Sequence, residues 1–474
     1  MKNQLKTNDK NKIPVIQSKE HFHDGQKFDN VSYSSLSQDF KPNINYDRKF
    51  SIESVHAIQK LKSTTYCETL MHLIKGNIGC GILAIGMAFK NGGLVLSVIM
   101  IIIFGIISCY NQHILITMAD EFKRMYNLEM ITFAETIGFA FETGPQIFQK
   151  FSSFIKRIIT FFIIVTQLGS CSVYVVFMSQ SLDQILSCYD IVVNKRILMA
   201  VVFPIIWITS LIKHFKYIVP LSLLANISTA GGLSLILRSS ATDLPPFMER
   251  ELIGNWNQLP LCIGTMVFSL EGISVSLPLQ QNMKKKETFV GRFGALNVAL
   301  FFSTALSTIL GFFGYWKFGD DVKESLTLNL ELRNNILSQL IIICMTIGIL
   351  CTYALQFFIP VLLILPKVKN WPTFIKNEYV LRTTLVLFTF FVAEVIPHFD
   401  LFSSLIGAIG GTFLAFIFCP LADIAFRKKE DRGKFNWKLI FTILSLIIGI
   451  VAFMFGTVVT LKEIIISIKN DLKM

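Results

Sequence analysis

An all-helical membrane protein with eleven transmembrane helices is what this sequence predicts, and three observations predict it. Of its 474 residues 52% are hydrophobic, and 43 are phenylalanine, a composition that excludes an ordinary soluble domain. Eleven apolar stretches follow residue 66, each long enough to cross a bilayer, for which about 20 helical residues suffice. Two of them, the first and the sixth, carry glycines and polar side chains at their centres. Five spans separate the starts of the two, and an odd number reverses the direction of crossing. Spans one to five (67–240) and six to ten (260–426) are therefore expected to form inverted repeats, a 5+5 arrangement to which span eleven (436–461) is added.

Taken in order, residues 1–66 are rich in Lys, Asn, Ser and Asp without an apolar run, so they cannot bury enough surface to fold alone. They read as a disordered cytosolic tail. No charged-then-apolar leader with a small-residue cleavage site precedes the first span, which is expected to act as its own insertion signal. The spans fall at about 67–89, 92–118, 158–187, 196–214, 217–239, 260–282, 290–316, 336–366, 379–397, 399–426 and 436–461. Asn91, Gly92 and Gly93 make the first turn, and Pro397 with Asp400 the last outer one. Between spans two and three, apolar residues at 130, 133, 137 and 141 recur at helical spacing, which predicts a short amphipathic helix on the membrane surface.

The charges orient the chain. With the tail inside, inner segments hold 32 of the 44 Lys and Arg and outer segments 11, Lys75 lying within the first span. This positive-inside pattern places the N-terminus in the cytosol and the C-terminus on the opposite side. It also explains the net charge of +12 without nucleic acid, because the basic runs at 284–286 and 427–429 each sit at the inner end of a span. The nine cysteines match no zinc spacing and lie mostly in apolar runs, so they read as small apolar fillers and not as metal ligands. Nor does the sequence carry paired carboxylates on a soluble domain, a nucleophile motif or a cofactor motif, which argues against an enzyme. A channel is disfavoured by the lack of a pore loop or charged ring.

The first span, Cys67 to Phe89, carries Gly76, Asn77, Gly79 and Gly81, preceded by His72 and Lys75. Each glycine weakens a helix by roughly 1 kcal/mol, and ionisable residues are expensive in hydrocarbon. A helix broken at mid-membrane accounts for both. Span six repeats the pattern with Ser269, Glu271, Gly272, Ser274 and Ser276, followed by Pro278. Where a helix restarts, its bare N–H groups and positive dipole end suit a carboxylate; where the preceding half stops, bare carbonyls suit an ammonium group. A zwitterion with both groups on one carbon fits that geometry, and an amino acid is such a zwitterion. The candidate substrate contacts are Gly76, Asn77, Gly79, Cys80, Gly81, Phe268, Ser269, Glu271, Gly272 and Tyr174 of span three.

Each candidate has a structural alternative. Gly76, Gly79 and Gly81 could serve tight helix packing, the role expected instead for Gly407 and Gly411 of span ten. His72, whose ordinary pKa is about 6.5, is the candidate proton-coupling residue, against a neutral interhelical hydrogen bond. Lys75 suits a pairing near the inner vestibule. Glu271 is functional by default as an intramembrane carboxyl, against a structural pairing with a neighbouring helix. Gln167, Asn226, Tyr353 and Gln356 read as interhelical hydrogen-bond partners.

The stretch TLMHLIKGNIGCGILAIGMAFKNGG resembles the first span of the proton-coupled amino-acid transporter family within the amino acid/auxin permease group. SVYVVFMSQSLDQIL, FSLEGISVSLPLQQNMK, TYALQFFIPVLLILP and IPHFDLFSSLIGAIGGTFLAFIFCPLADI are further matches, and the similarity covers essentially everything after residue 60. The resemblance implies a leucine-transporter-type fold and import or export of small neutral amino acids by alternating access, with His72 in the place of the family's suspected proton site. Three departures stand out. Cys80 takes the place of a frequent hydroxyl residue, Gly86 takes that of a proline and so loosens its turn, and the outer loop Lys317 to Asn335 has no cysteine to pair with Cys188, so no bridge between outer loops is expected. An amino-acid sensor and an uncoupled facilitator of the same fold are the competing functions. The resemblance fits a plasma membrane or lysosomal membrane protein and leaves the preferred amino acid and the oligomeric state open.

Overall fold

The computed structural model describes residues 64–212, 215–332, 335–368, 377–427 and 436–471, the side chains of 215–223 excepted. The expected tail up to residue 66 lies outside the described residues as far as position 63. Thr64 is already held: its N–H donates to the Asn282 carbonyl and its own carbonyl accepts from the Lys284 N–H, both at 3.0 Å.

The described residues are almost wholly helical. The first span begins as α1 (Tyr66–Asn77), passes through a single 3-10 turn at Cys80–Leu83 and resumes as α2 (Ile85–Gly92). Then follow α3 (Leu94–Tyr126), α4 (Phe133–Glu142), α5 (Ser152–Ser187), α6 (Lys195–Ser210) and α7 (Phe215–Ser240). The sixth span is split into α8 (Leu259–Ser269) and α9 (Ile273–Asn282). After it come α10 (Ala295–Phe318), α11 (Ile336–Val368) and α12 (Glu378–Val395). The tenth span runs as α13 (Phe399–Ile406), a π-helical segment Gly407–Phe418 and α14 (Cys419–Phe426), and α15 (Trp437–Asp471) closes the chain.

Seven helical stretches among the described residues are long and apolar enough to cross a membrane: 94–126, 152–187, 259–282, 295–321, 336–368, 399–426 and 437–470. The other four expected spans are also helical. The first is shortened by its interruption, while α6 and α12 fall below the roughly 20 residues of a full crossing. Some ends moved: α5 starts six residues before the expected 158, and α15 runs ten beyond the expected 461.

The amphipathic helix expected between spans two and three is α4, and its apolar face is turned into the protein. Phe133, Ile137, Ala140 and Phe141 are buried against α5, α3 and α14. Its start is fixed by a capping box: Thr132 Oγ1 accepts from the Glu135 N–H, and a Glu135 carboxylate oxygen accepts from the Thr132 N–H at 2.8 Å. The same Thr-x-x-Glu device, Thr65 with Glu68, starts α1. Because a capping hydroxyl is worth about 1 kcal/mol, Thr132→Ala is expected to lower unfolding free energy by about that amount, measured by thermal or chemical denaturation of the purified protein. An unchanged stability would mean that packing alone sets the start of α4.

Candidate functional site

Both interruptions are real and they touch. The backbone leaves α1 at Ile78 (φ −90°, ψ 70°) and passes Gly79 in an extended conformation before the 3-10 turn. In the sixth span the helix stops at Ser269, and Leu270, Glu271 and Gly272 carry the chain to α9. A Cβ added to Gly81 would lie 2.9 Å from the Ser269 Cα and 3.0 Å from its N. Glycine at 81 therefore lets two backbones approach closer than any side chain permits. A Cβ at Gly272 would strike the Asn77 side-chain amide, so the two breaks interlock in both directions.

The polar atoms at this junction are incompletely satisfied. Asn77 donates through Nδ2 to the Leu73 carbonyl at 2.8 Å, whereas its Oδ1 is buried without a partner among the described residues. Glu271 Oε1 and Ser274 Oγ on the sixth span are in the same condition, and so, outside the two breaks, are Gln167 Oε1 on α5 and Gln356 Oε1 on α11. Buried polar atoms are nearly always hydrogen-bonded, so orphans at two helix breaks mark where a polar solute or water belongs. Tyr174 is fully buried on α5. Its hydroxyl lies 3.3 Å from where a Gly79 Cβ would sit and faces the Gln356 amide. Cys80 is buried within electrostatic range of that hydroxyl.

Other expected residues have different surroundings. Gly76 is packed against Val275, whose Cγ2 would be 2.7 Å from an added Cβ. Phe268 lies against Gly81, and the Ser269 hydroxyl donates to the Met266 carbonyl of its own helix at 2.8 Å. His72 is half-buried on α1 with Glu68 and Lys75 as its charged neighbours. It stands six residues before the break, about 9 Å along a helix, so it is not part of the junction. Lys75 is buried next to Cys351 of α11. Gly407 and Gly411 have the expected packing role: a Cβ at Gly407 would overlap the Gly264 carbonyl oxygen, and one at Gly411 would meet Val267. The π-helical stretch of span ten thus lies flat against α8.

A small cavity of about 10 Å³ opens beside the second break, lined by Ser108 of α3, Val267, Leu270, Glu271, Gly272, Ile273, Gly411, Ala415 and Phe416. Span two was not expected to contribute here. Its triplet Asn111, Gln112 and His113 could have signalled it, since consecutive helical residues point about 100° apart and three adjacent polar side chains inside an apolar span must find different partners. Asn111 donates to Ser445 on α15, Gln112 accepts from the Ser276 hydroxyl on α9, and His113 pairs with Asn297 on α10. All nine cysteines are free thiols.

A family model described as transmembrane amino acid transporter protein matches residues 62–462. The proton-coupled amino acid transporter-like protein pathetic of Drosophila melanogaster is 32% identical over 413 residues, covering 86% of this chain and 87% of that protein. The probable amino acid transporter skat-1 of Caenorhabditis elegans is 22% identical over 425 residues, covering 85% of this chain and 91% of that one. Among solved structures, that of MhsT in complex with L-phenylalanine aligns over 84% of this chain and 100% of its own, with 12% identity and a TM-score of 0.48.

Proposed function

This chain belongs to the transmembrane amino acid transporter family, as a multi-pass membrane protein and not an enzyme, and from that premise we propose that it moves small neutral amino acids by alternating access, coupled to protons. The arrangement this reading requires is eleven spans, a 5+5 inverted repeat with one added helix, the N-terminus cytosolic and the C-terminus opposite. The observation that carries it is the meeting of two interrupted helices at Gly81 and Gly272, beside the orphaned Asn77 Oδ1. The amino acid's carboxylate would take the N–H groups where helix resumes after Gly79 and after Gly272, and its ammonium group the carbonyls where α1 and α8 stop. Tyr174 closes the space from α5, and its bulk next to Gly79 favours a short side chain.

The test is uptake of labelled amino acids by proteoliposomes containing the full chain, with and without an imposed pH gradient. Saturable uptake of Gly, Ala or Pro that rises severalfold with outside acid is expected. No uptake of any of the twenty overturns the reading, and uptake indifferent to the gradient overturns the coupling alone. His72→Gln is expected to abolish the stimulation by acid while leaving amino-acid exchange across equal pH intact, because the imidazole stands away from the junction. Retained stimulation would remove His72 from the proton path.

A further inference from the structure

Away from the broken helices, at the end of the bundle where α13 begins, the loop after α10 is held by a compact cluster. Glu324 of that loop accepts from the Gln180 amide of α5 at 2.7 Å and from the Phe399 N–H at the start of α13 at 2.8 Å, while its other oxygen lies 3.3 Å from His398 Nδ1. His398 Nε2 is 2.7 Å from the Ser467 hydroxyl of α15. Asp400, in the first turn of α13, interacts electrostatically with both Glu324 and His398. One loop residue thus touches α5 and the start of α13, and His398 links it on to α15. The same loop is tied to α5 a second time, where Gln184 Nε2 donates to the Thr327 and Leu330 carbonyls at 3.1 and 3.2 Å.

The loop also rests on the first span. A Cβ at Gly86 of α2 would lie 2.6 Å from Leu326 Cδ2 and 3.1 Å from Val322 Cγ2, and one at Gly314 of α10 2.7 Å from Leu326 Cδ2. Gly86, expected to loosen its turn, is instead the seat on which the loop packs. Whatever holds Glu324 therefore holds the loop against the resumed half of the first broken helix.

We propose that His398, Glu324 and Asp400 form a proton-binding site that latches the Gly319–Leu332 loop onto α2, α5 and α13 in acid and releases it as the pH rises. The cluster can take the proton without rearranging. In the neutral imidazole Nδ1–H faces Glu324 and Nε2 accepts from Ser467; in the imidazolium both nitrogens donate and Ser467 accepts. Two carboxyl groups beside one imidazole repel when all three are deprotonated, so a proton bound by the cluster removes repulsion, and its titration belongs to the group as a whole. Further ionisable side chains are Asp320, Asp321, Lys323 and Glu331 on the loop itself, Lys90 on α2, which donates to the Asp320 carbonyl, Asp183 on α5, and Lys462, Glu463 and Lys469 on α15.

Linkage fixes the sign. The latched loop gives the imidazole a carboxylate that the released loop withdraws, so the latched state binds a proton more tightly. That added stability is complete below the pKa of the released imidazole, near its ordinary value of about 6.5, and is lost as the pH rises through that of the latched one. Glu324 works in the opposite direction, lower on the scale. Burial pushes its pKa up, but the contacts from His398, Gln180 and the Phe399 N–H outweigh burial and hold it below the usual carboxylate range. Its contribution is present above that range and fades only as the pH falls through the lowered value, beneath the window where the imidazole titrates. In the orientation read from the basic residues this is the outer end, which an acidic compartment would bathe.

The latch is independent of what the protein transports. Hydrogen exchange of peptides covering 319–332 is measured in the purified full-length protein at pH 5.5 and 7.5, corrected for intrinsic exchange. Protection about fivefold higher at pH 5.5 is expected, the effect over this window of about one pK unit of differential proton binding. His398→Gln should abolish that difference. Glu324→Gln, which keeps the side chain's size, should lower protection at both values and flatten the difference, and it serves if the histidine variant does not fold. Equal protection of the wild type at both pH values, or a difference that survives in either variant, overturns the proposal.

Discussion

Gly81→Ala is expected to reduce amino-acid uptake about 100-fold at an unchanged amount of protein in the membrane. An alanine Cβ would sit 2.9 Å from the Ser269 Cα and 2.7 Å from Phe268 Cδ1. A phenyl ring can rotate away, but a backbone Cα cannot, so the two interrupted helices must separate by a good part of an ångström. Displacements of about 1 Å in a preorganised site cost about 100-fold, equivalent to roughly 2.7 kcal/mol. Gly231→Ala is the matched control, because nothing lies within 4 Å of a Cβ there, and it should leave uptake unaltered. Wild-type uptake by Gly81→Ala would mean that the contact between the breaks has no part in transport.

Glu271→Gln is expected to raise the KM for the amino acid by about 10- to 100-fold. The carboxyl sits in the break of the sixth span with one oxygen unpartnered among the described residues, facing the cavity it shares with Ser108 and Gly411. A hydrogen bond to a charged group contributes about 1.5–3 kcal/mol, which corresponds to that range at about 1.4 kcal/mol per tenfold. Glutamine preserves the volume and an acceptor oxygen, so a rise in KM reads the loss of the carboxyl group and not a collapse of the cavity. An unchanged KM with a lost response to pH would move Glu271 from substrate contact to proton transfer; an unchanged KM and an unchanged pH profile would leave it a structural group.

How much of this was legible in the sequence differs from feature to feature. The interruption of the first span could be read from Gly76, Asn77, Gly79 and Gly81, because a dense run of glycines weakens a helix wherever it is placed. The second break could be read from Ser269, Glu271, Gly272, Ser274 and Ser276, because polar side chains around a glycine at the middle of a span are costly in an unbroken helix facing lipid. The start of α4 is equally local, since Thr132 and Glu135 stand three residues apart and cap it between themselves. The role of span two was signalled by Asn111, Gln112 and His113, but the direction each would take depends on neighbours that a periodicity does not name.

The cluster at His398 lay beyond such reasoning. Its members come from the end of α5, the loop after α10, the start of α13 and the far end of α15, and nothing in their spacing relates them. The substitution of glycine at 86 looked like a weakened turn, whereas it is a contact with Leu326.

By itself, then, the sequence determined that the chain is a bundle of apolar helices, where two of them break, and which chemical groups those breaks expose. These depend on the hydropathy and backbone freedom of neighbouring residues. Only the tertiary structure decided that Gly81 meets Ser269, that Gly272 meets Asn77 and that the loop at 322–326 seats on α2. Between helices in lipid there is no water to expel, so relative position is set by how closely small residues let backbones pack and by which polar side chains find each other. Those are pairwise facts about residues distant in the chain, and no single span contains them.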